Sequence, residues 1–391
     1  MEFRHLLFGI ALATGACTAG APPLDSSVQG PVGSACTTSS AKLSFDFEAA
    51  SFARCVIEGE REFSVLVAPE HRPPINPSPW YAFRYEARAG GELTVHLRYL
   101  ASQHRYVPKW TDGTERRQLI VETSEDGTTA TMQLPPGRAT VSAQEIFDSG
   151  DYEEALERWA QGPLARRFVL GSSHDRRPIG AVRLGFADAP RLVLLLGRQH
   201  PPEVTGAIAM ESFVDQIAAL LAADPQMGKR YQFLVIPLLN PDGVARGNWR
   251  ANLGGKDINR DWGEFSQPET QAIKGWLDAL PAGVRPALML DFHSTHRNLF
   301  YVQGDEASER QEQFLGAWLQ GKENSLPGYI FSIERRNANP GSGTAKNWFH
   351  QAYGIPAYTY EVADDADRMA IRQAAAVFAR GLPGALEVLE R

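Results

Sequence analysis

Four runs of apolar residues, each long enough for one buried strand, constrain the fold of this chain more than any other feature. They lie near residues 192–197, 233–239, 287–292 and 356–361. Stretches with the spacing of helices separate them, among them Val204–Ala222 and Glu269–Leu280. Strands that are apolar along their whole length are buried on both faces, as in a largely parallel sheet between two layers of helices. We therefore predict an α/β fold with a mostly parallel mixed sheet and helices on both faces.

The region before these runs has a period of two instead. Leu93–Tyr99 alternates apolar and polar side chains, which is typical of a half-buried strand. Leu119–Thr123 and Thr128–Leu134 flank an Asp126-Gly127 turn and predict a hairpin. We expect a small antiparallel β-sandwich domain over residues 42–142, linker helices over 143–165 and the α/β domain over 166–391.

The first 17 residues have the pattern of an export leader, with the apolar run Leu6–Ala13 after a basic start. This run is too short to remain as a membrane-spanning anchor. Two cleavage sites stay open. Thr14-Gly15-Ala16-Cys17 resembles a bacterial lipoprotein box, although Thr14 stands where Leu is usual, and Ala19-Gly20-Ala21 suits ordinary signal peptidase. In either case we predict export, to the periplasm, to the envelope through a lipid on Cys17, or to the medium.

Residues 18–41 are rich in small and polar residues and predict a flexible tether. The cysteines that remain apart from Cys17 are Cys36 and Cys55, which lie 19 positions apart. In an oxidising compartment such a pair can close a disulfide, and the alternative is two free thiols.

Three residues that directly follow two of the apolar runs have the chemistry of metal ligands. His200 and Glu203 belong to an H-P-P-E motif, and His293 ends a D-F-H motif. The carboxyl ends of parallel strands meet at one edge of a sheet, where α/β proteins gather their ligands. Two imidazoles and a carboxylate hold zinc at about 2.0–2.2 Å and leave a fourth position for water. We predict one zinc ion per chain, although an H-x-x-E motif alone occurs often by chance and a buried histidine is commonly only hydrogen-bonded.

Further motifs resemble the zinc carboxypeptidases of the carboxypeptidase A type. H-P-P-E is followed by N-P-D-G at 240–243, Arg250, D-I-N-R at 257–260, D-F-H and Tyr360-Glu361, in that family's order. More narrowly, the chain resembles the cytosolic carboxypeptidase subfamily and its bacterial relatives, which join a β-sandwich to the peptidase domain and remove glutamates from protein tails. Asn76–Arg84 resembles the start of that subfamily, and Gly343–Lys346 and Gly354–Glu361 resemble its end.

This resemblance implies roles for four residues around the metal. Glu361 would take a proton from water and return it to the leaving amine, and Arg250 would stabilise the oxyanion. Asn259 and Arg260 would hold the substrate's terminal carboxylate, to which a guanidinium donates two parallel hydrogen bonds. The alternatives are a solvated carboxylate, a surface arginine, and an ion pair between Arg260 and Asp261.

The resemblance also places Lys346 in the specificity pocket, where the glutamate-cutting subfamily carries basic residues. A preference for acidic C-terminal side chains is therefore expected. Asn339 lies near the place of the mobile tyrosine of the digestive enzymes, so the resemblance does not extend to the residue that closes the site over substrate. Asp291 is a candidate for orienting His293 or for capping local backbone.

The leading hypothesis is a zinc-dependent metallocarboxypeptidase that acts on the C-terminus of a peptide or protein. The alternatives are an amidase or D,L-carboxypeptidase on peptidoglycan peptides, and a non-catalytic zinc-binding module of the same fold. A formal net charge of −7 gives no basic surface for nucleic acid. Membrane contact is expected only through lipid on Cys17, and the oligomeric state is left open.

Overall fold

The computed structural model describes residues 36–50, 54–71, 78–337, 339 and 341–390. The predicted leader, Cys17 and residues 18–35 of the predicted tether lie outside the described residues. The N-terminal region consists of these strands: β1 (Cys36–Thr37), β2 (Ala41–Ser44), β3 (Arg54–Gly59), β4 (Glu62–Val67), β5 (Ala82–Ala87), β6 (Leu93–Tyr99), β7 (Lys109–Thr111), β8 (Arg116–Gln118), β9 (Glu122–Thr123), β10 (Thr129–Leu134) and β11 (Gly137–Ser142).

These strands form two sheets, in the orders β1-β2-β5-β11-β7-β8 and β3-β4-β6-β10-β9. Alternate residues of β6, namely Leu93, Val95 and Leu97, are fully buried, as the period of two predicts. The hairpin around Gly127 is present, with Ala130 opposite Thr123. Its first strand is shorter than predicted because only β9 pairs. β4 and β6 pair in parallel, so the region that was predicted to be antiparallel contains a parallel pair among its described strands. Alternation of apolar and polar residues predicts a strand but does not specify the direction of its neighbour.

The sandwich begins earlier than residue 42, where the sequence placed the end of a tether. β1 and β2 already pair in the first sheet, with Cys36 opposite Leu43. Cys36 is bonded to Cys55 in β3, which links the two sheets covalently. A strand of two residues is too short to leave a periodic pattern in the sequence, which explains the difference.

The α/β region consists, in chain order, of α1 (Ser149–Ala160), β12 (Ala165–Ser172), β13 (Pro178–Leu184), β14 (Arg191–Gly197), α2 (Val204–Ala223), α3 (Met227–Arg230), β15 (Tyr231–Ile236), α4 (Pro241–Ala245), α5 (Pro268–Asp278), β16 (Arg285–Thr295), β17 (Leu299–Gln303), α6 (Glu309–Trp318), β18 (Ser332–Arg336), α7 (Ala345–Tyr353), β19 (Ala357–Ala363) and α8 (Arg368–Leu386), with 3-10 turns at Ile258–Arg260 and Glu387–Glu390. A single helix, α1, stands where linker helices were predicted. Asp148 and Asp151 cap its start reciprocally.

The strands of this region form one sheet in the order β12-β13-β15-β14-β16-β19-β17-β18. Its centre, from β15 through β14 and β16 to β19, is parallel, and β13 and β17 join it antiparallel. Side chains of β14 alternate between two apolar cores. Val193 and Leu195 pack on the face with α2 and α8, whereas Leu192, Leu194 and Leu196 pack on the face with α5 and α7. The predicted α/β fold with helices on both faces is confirmed.

Helix α2 is long and apolar enough to cross a membrane by length and composition, with a mean hydropathy of 1.4. It packs against α8 and the central strands, and Ile208, Phe213 and Ile217 are buried there. Its apolar character is therefore explained by its place in the core.

Candidate active site

All the residues that the sequence assigned to the site line one cavity of about 500 Å³ at the carboxyl ends of β14, β16 and β19. They are His200, Glu203, Arg250, Asn259, Arg260, His293, Lys346 and Glu361. A larger cavity, of about 610 Å³, opens at the opposite ends of the strands beside Arg191 and Tyr231 and contains none of them. The candidate catalytic and metal-binding residues therefore line the smaller cavity.

The turn after β14 presents His200 and Glu203 together. Arg198, just before it, is buried with φ of 51°, a conformation that costs free energy in a residue other than glycine. Its guanidinium donates to the carbonyl of Pro201 at 2.6 Å and to the hydroxyl of Tyr152 at 2.7 Å. These bonds close the turn, and Glu203 stands directly before the first residue of α2.

His293 and Glu361 come from neighbouring parallel strands, β16 and β19, and pair in register. Helix α2 lies directly against this part of the sheet. A Cβ on Gly206 would stand 2.6 Å from the carbonyl oxygen of His293, so the close approach requires glycine. The start of α2 is thereby held beside His293, and Glu203 with it.

Nitrogen and oxygen atoms of His200, Glu203 and His293 converge within 4.8 Å of one another. Nδ1 of His200 lies 2.8 Å from Glu203 Oε1, and Nδ1 of His293 lies 2.6 Å from Glu203 Oε2. The two Nδ1 atoms are 3.2 Å apart. Two ligands of one tetrahedral zinc, each at about 2.0–2.2 Å, would be about 3.4 Å apart. The three separations are each shorter than this by less than about 1 Å, so small outward shifts of these side chains would let the donor set hold the ion.

The electrostatics of the cluster also favour a cation. Burial would raise the pKa of Glu203, but the imidazoles of His200 and His293 hold it below its ordinary value. Burial would lower the pKa of His293, but Asp291 and Glu203 raise it well above its ordinary value. Both shifts show that positive charge is stabilised between these side chains. A divalent cation supplies that charge, and the nitrogen and oxygen donors suit zinc.

Each imidazole is oriented by a carboxylate on its far side. Nε2 of His200 lies 2.9 Å from Oδ1 of Asp257, and Nε2 of His293 lies 2.7 Å from Oδ2 of Asp291. Such partners set the tautomer and orientation of metal-binding histidines. Of the two roles open to Asp291, the structure supports orientation of His293. Asp257 was missed, although it belongs to the D-I-N-R motif, because no local spacing links it to His200.

Glu361 carries a carboxyl oxygen without a partner. Its Oε2 atom is buried and has no hydrogen bond to the described residues. Burial raises the pKa of Glu361 to about 7, and the charges of His293 and Glu203 act on it in opposite directions. This is an environment suited to a group that accepts and returns a proton near neutral pH. It differs from the solvated strand end that was the alternative.

Arg250 is held from the loop after α4. Its Nε donates to Oδ2 of Asp257 at 2.7 Å, so the carboxylate that orients His200 also orients this guanidinium. The described residues offer its two terminal nitrogens no hydrogen-bond partner, and the side chain lines the cavity. Arg250 is therefore not an ordinary surface arginine.

Arg260 and Asn259 occupy the 3-10 turn at one wall of the cavity. Arg260 is exposed and donates to the carbonyl of Asn259 at 2.7 Å. The carboxylate of Asp261 instead accepts the backbone N–H groups of Ser266 and Gln267, each at 3.0 Å, so the alternative ion pair with Arg260 is not formed.

The side chain of Asn259, to which the resemblance assigns binding of the terminal carboxylate, has its amide oxygen engaged within the protein. Its Oδ1 accepts the backbone N–H of Ala345 at 2.8 Å, and its Nδ2 lies 3.2 Å from Nε2 of His293. Asn259 thus links the wall beside His293 to the start of α7, which carries Lys346. Because Nε2 of His293 donates to Asp291, it cannot also accept from Nδ2 of Asn259, so Oδ1 is the end of this buried amide that is hydrogen-bonded within the protein.

Lys346 is buried in the first turn of α7 and lines the cavity. Its Nζ donates to the carbonyl of Arg336 at 2.8 Å. Burial lowers the pKa of Lys346 to about 8. Asn339 lines the same cavity, as do Tyr301 and Arg336, which sequence reasoning missed because β17 and β18 were not recognised as strands.

The β-sandwich also contributes to the cavity wall, through Ser78 and Arg105. Arg105 donates two hydrogen bonds, at 2.6 and 2.9 Å, to Oδ2 of Asp364, three positions after Glu361. Burial raises the pKa of Asp364 to about 6 even though Arg105 opposes the shift. Contacts between such distant parts of the chain leave no local pattern in a sequence.

Comparison with known proteins agrees with this geometry. The family model described as zinc carboxypeptidase matches residues 156–377, more than half of the 391 residues. Cytosolic carboxypeptidase 6 of Caenorhabditis elegans is 28% identical over 172 residues, which cover 40% of this chain and 37% of that protein. Cytosolic carboxypeptidase 1 of Homo sapiens is 34% identical over 114 residues, which cover 28% of this chain and 9% of that protein. The chain thus spans less than two fifths of the length of either curated relative.

Solved structures share the fold. A metallo-carboxypeptidase from Burkholderia cenocepacia superposes with a TM-score of 0.74 at 19% identity, over 90% of this chain and 99% of that chain. One from Pseudomonas aeruginosa, in complex with (2-guanidinoethylmercapto)succinic acid, superposes with a TM-score of 0.71 at 19% identity, over 89% and 99%. These matches include the sandwich as well as the α/β domain, because they cover nearly the whole described chain.

Proposed function

This chain belongs to the zinc carboxypeptidase family, and on that premise we propose that it is a metallocarboxypeptidase that removes the C-terminal residue of a peptide or protein. The family that the motifs resembled is confirmed. The observation that carries the proposal is the convergence of His200, Glu203 and His293 beside the buried carboxyl of Glu361 in one cavity.

The three converging side chains would hold zinc. Bound zinc polarises a carbonyl and lowers the pKa of water to about 7, which supplies a nucleophile at neutral pH. Asp257 and Asp291 keep the two imidazoles oriented with Nδ1 toward the cluster.

Glu361 would serve as the proton carrier of the hydrolysis. In its ionised form the buried carboxylate accepts a proton from the attacking water, and in its neutral form it returns that proton to the leaving amine. A pKa raised to about 7 by burial suits both halves of this cycle. The unpartnered Oε2 is the atom available for the transfer.

Arg250 and Arg260 would bind the two charged parts of the substrate. Arg250, with its terminal nitrogens free of partners among the described residues, would stabilise the oxyanion that forms from the scissile carbonyl. Arg260 is exposed at the wall and would pair with the terminal carboxylate, with Asn259 supporting the same wall. A requirement for a free carboxylate follows, which distinguishes a carboxypeptidase from an amidase.

Lys346 would select an acidic side chain at the C-terminus. The support is its place in the cavity wall, where Nζ donates to two neutral acceptors, the carbonyl of Arg336 at 2.8 Å and Oδ1 of Asn347 at 3.4 Å. A carboxylate in the cavity would replace a neutral partner with an anionic one. The similarity to cytosolic carboxypeptidases is compatible with this preference.

Export is proposed as well. Cys36 and Cys55 form a disulfide, a bond that is maintained in oxidising compartments outside the cytoplasm. Cell fractionation of the full chain beside its Cys17→Ala variant tests both parts. We expect both proteins outside the cytoplasm, and a soluble Cys17→Ala protein if Cys17 carries the anchor. Recovery of the uncut chain in the cytoplasm would contradict export.

Peptides that differ only at their C-terminal end test the proposed activity. The zinc-loaded protein is incubated with peptides ending in Glu, Gln, Leu or Lys, each with a free carboxylate or as the amide. We expect mass spectrometry to detect loss of one residue from free peptides, fastest for Glu, and no loss from amides, because Arg260 then has no anion to bind. Equal cleavage of amidated and free peptides would contradict a carboxypeptidase.

A further inference from the structure

Glu70 of the β-sandwich accepts hydrogen bonds from the backbone N–H groups of Trp249, Arg250 and Ala251. Its Oε2 receives Trp249 at 2.7 Å, and its Oε1 receives Arg250 at 2.8 Å and Ala251 at 2.7 Å. Glu70 follows β4, whereas the three amides belong to the loop after α4 in the other domain. One carboxylate thus holds the backbone that carries Arg250.

The same loop also packs against the sandwich just before this contact, at Gly247, and through the side chain of Trp249. A Cβ on Gly247, whose φ is +62°, would stand 2.1 Å from the carbonyl oxygen of Ala50. The indole of Trp249 is buried and donates to the carbonyl of Trp80 at 3.2 Å. These contacts place the loop against the sandwich, and the bonds to Glu70 set the orientation of its peptide planes.

Arg250 is therefore held at both ends. Asp257 accepts from its Nε at 2.7 Å, and Glu70 accepts from its backbone N–H. Hydrogen bonds from N–H groups to a carboxylate are about twice as strong as those between neutral groups. Three of them, converging on one side chain, leave the loop little freedom to move the guanidinium relative to the cavity.

We propose that Glu70 is a positioning residue that aligns Arg250 for catalysis, so that the β-sandwich is part of the catalytic apparatus. This proposal rests on the proposed function, in which Arg250 stabilises the oxyanion. Such a group acts only when its donors point to where charge develops, and a misplacement of about 1 Å can cost about 100-fold in rate. Glu70 acts through Arg250 and has no contact of its own with the reacting atoms.

The test is a double-mutant cycle between Glu70→Gln and Arg250→Ala in the zinc-loaded full chain. The Gln amide has one oxygen, so whichever way it turns, its N–H₂ group replaces the acceptor of at least one of the three backbone N–H groups. In the wild-type background we expect Glu70→Gln to lower kcat by about 10- to 100-fold with little change in KM. In the Arg250→Ala background the same substitution should change kcat by less than about twofold, because the group that it positions is gone.

Glu48→Gln is the matched control, since Glu48 also lies at the domain interface, where it accepts from Ser149 and Arg177. It should leave kcat unchanged. Glu70→Asp keeps the charge and should retain more activity than Glu70→Gln, and it replaces that variant if Glu70→Gln does not fold. Equal losses in the two Arg250 backgrounds, or no loss from Glu70→Gln while the wild type is active, would overturn the proposal.

Hydrogen exchange of the amides of residues 249–251 separates this proposal from the proposed function. We expect exchange there to be faster in Glu70→Gln than in the wild type or Glu48→Gln, whatever the activity. Unchanged exchange would overturn the positioning role. A wild-type protein that holds zinc and shortens no peptide would instead contradict the proposed function, with the exchange result still deciding whether Glu70 orders the loop.

Discussion

Oδ1 of Asp257 accepts a hydrogen bond from Nε2 of His200 at 2.9 Å. The other oxygen receives Nε of Arg250 at 2.7 Å. Burial would raise the pKa of Asp257, but His200 and Arg250 hold it far below its ordinary value. This carboxylate is therefore ionised throughout the physiological range and couples a candidate metal ligand to the candidate oxyanion group.

Asp257→Asn should weaken zinc binding and also slow catalysis. The neutral amide orients His200 less firmly, and loss of such partners typically lowers metal affinity by about 10- to 100-fold. Asp291→Asn is the matched variant, because Asp291 contacts His293 but does not contact Arg250 among the described residues. We expect both to lose zinc affinity in chelator competition, and only Asp257→Asn to lose additional kcat in excess zinc. Unaltered zinc affinity in Asp257→Asn would contradict this role.

The acidic limb of the pH profile should report Glu361. Burial raises the pKa of this carboxyl to about 7, and a divalent cation at the neighbouring ligands will lower it. The base form is present above the pKa and lost as pH falls below it. We therefore expect kcat/KM to decrease as the pH is lowered from 7 toward 4.5, the ordinary pKa of a glutamate. A rate that rises as pH falls through this window would show that another group accepts the proton.

The preference for an acidic C-terminal residue should depend on pH through Lys346. Burial lowers its pKa to about 8, so the ammonium is present below that pH and lost above it. The ratio of kcat/KM for Glu-terminated over Gln-terminated peptides should exceed about tenfold at pH 7, as expected for a hydrogen bond between charged groups, and should decline above pH 8. Lys346→Met should remove both the preference and its pH dependence. A preference that Lys346→Met leaves intact would assign the selection to another residue.

The central sheet could be predicted because β14, β15, β16 and β19 are largely buried on both faces, so each carries a run of mostly apolar residues. The outer strands could not be predicted in this way. β12 is only partly buried along its length, and β18 is a five-residue strand that ends in two exposed arginines. A strand whose side chains are partly exposed is not required to be apolar, so its sequence carries no clear strand pattern.

The candidate site was predictable for a related reason. His200 and Glu203 follow β14, and His293 lies near the carboxyl end of β16, so their meeting at one edge follows from the topology. Asp257, Arg105 and Glu70 were not predicted, because each acts on residues far along the chain. Arg105 and Asp364 are 259 positions apart, and no local spacing encodes such a contact.

Removal of the metal, combined with the Glu361→Gln variant, tests the central claim most directly. Mass spectrometry follows one Glu-terminated peptide incubated with wild type, chelator-treated wild type, the same sample after zinc is restored, and zinc-loaded Glu361→Gln. The account predicts loss of one residue with wild type, none after chelation, recovery with zinc, and a rate at least about 100-fold lower for Glu361→Gln, the lower end of the usual contribution of a general base. A wild-type chain that binds one zinc and leaves the peptide intact, or a Glu361→Gln variant as fast as wild type, would contradict it.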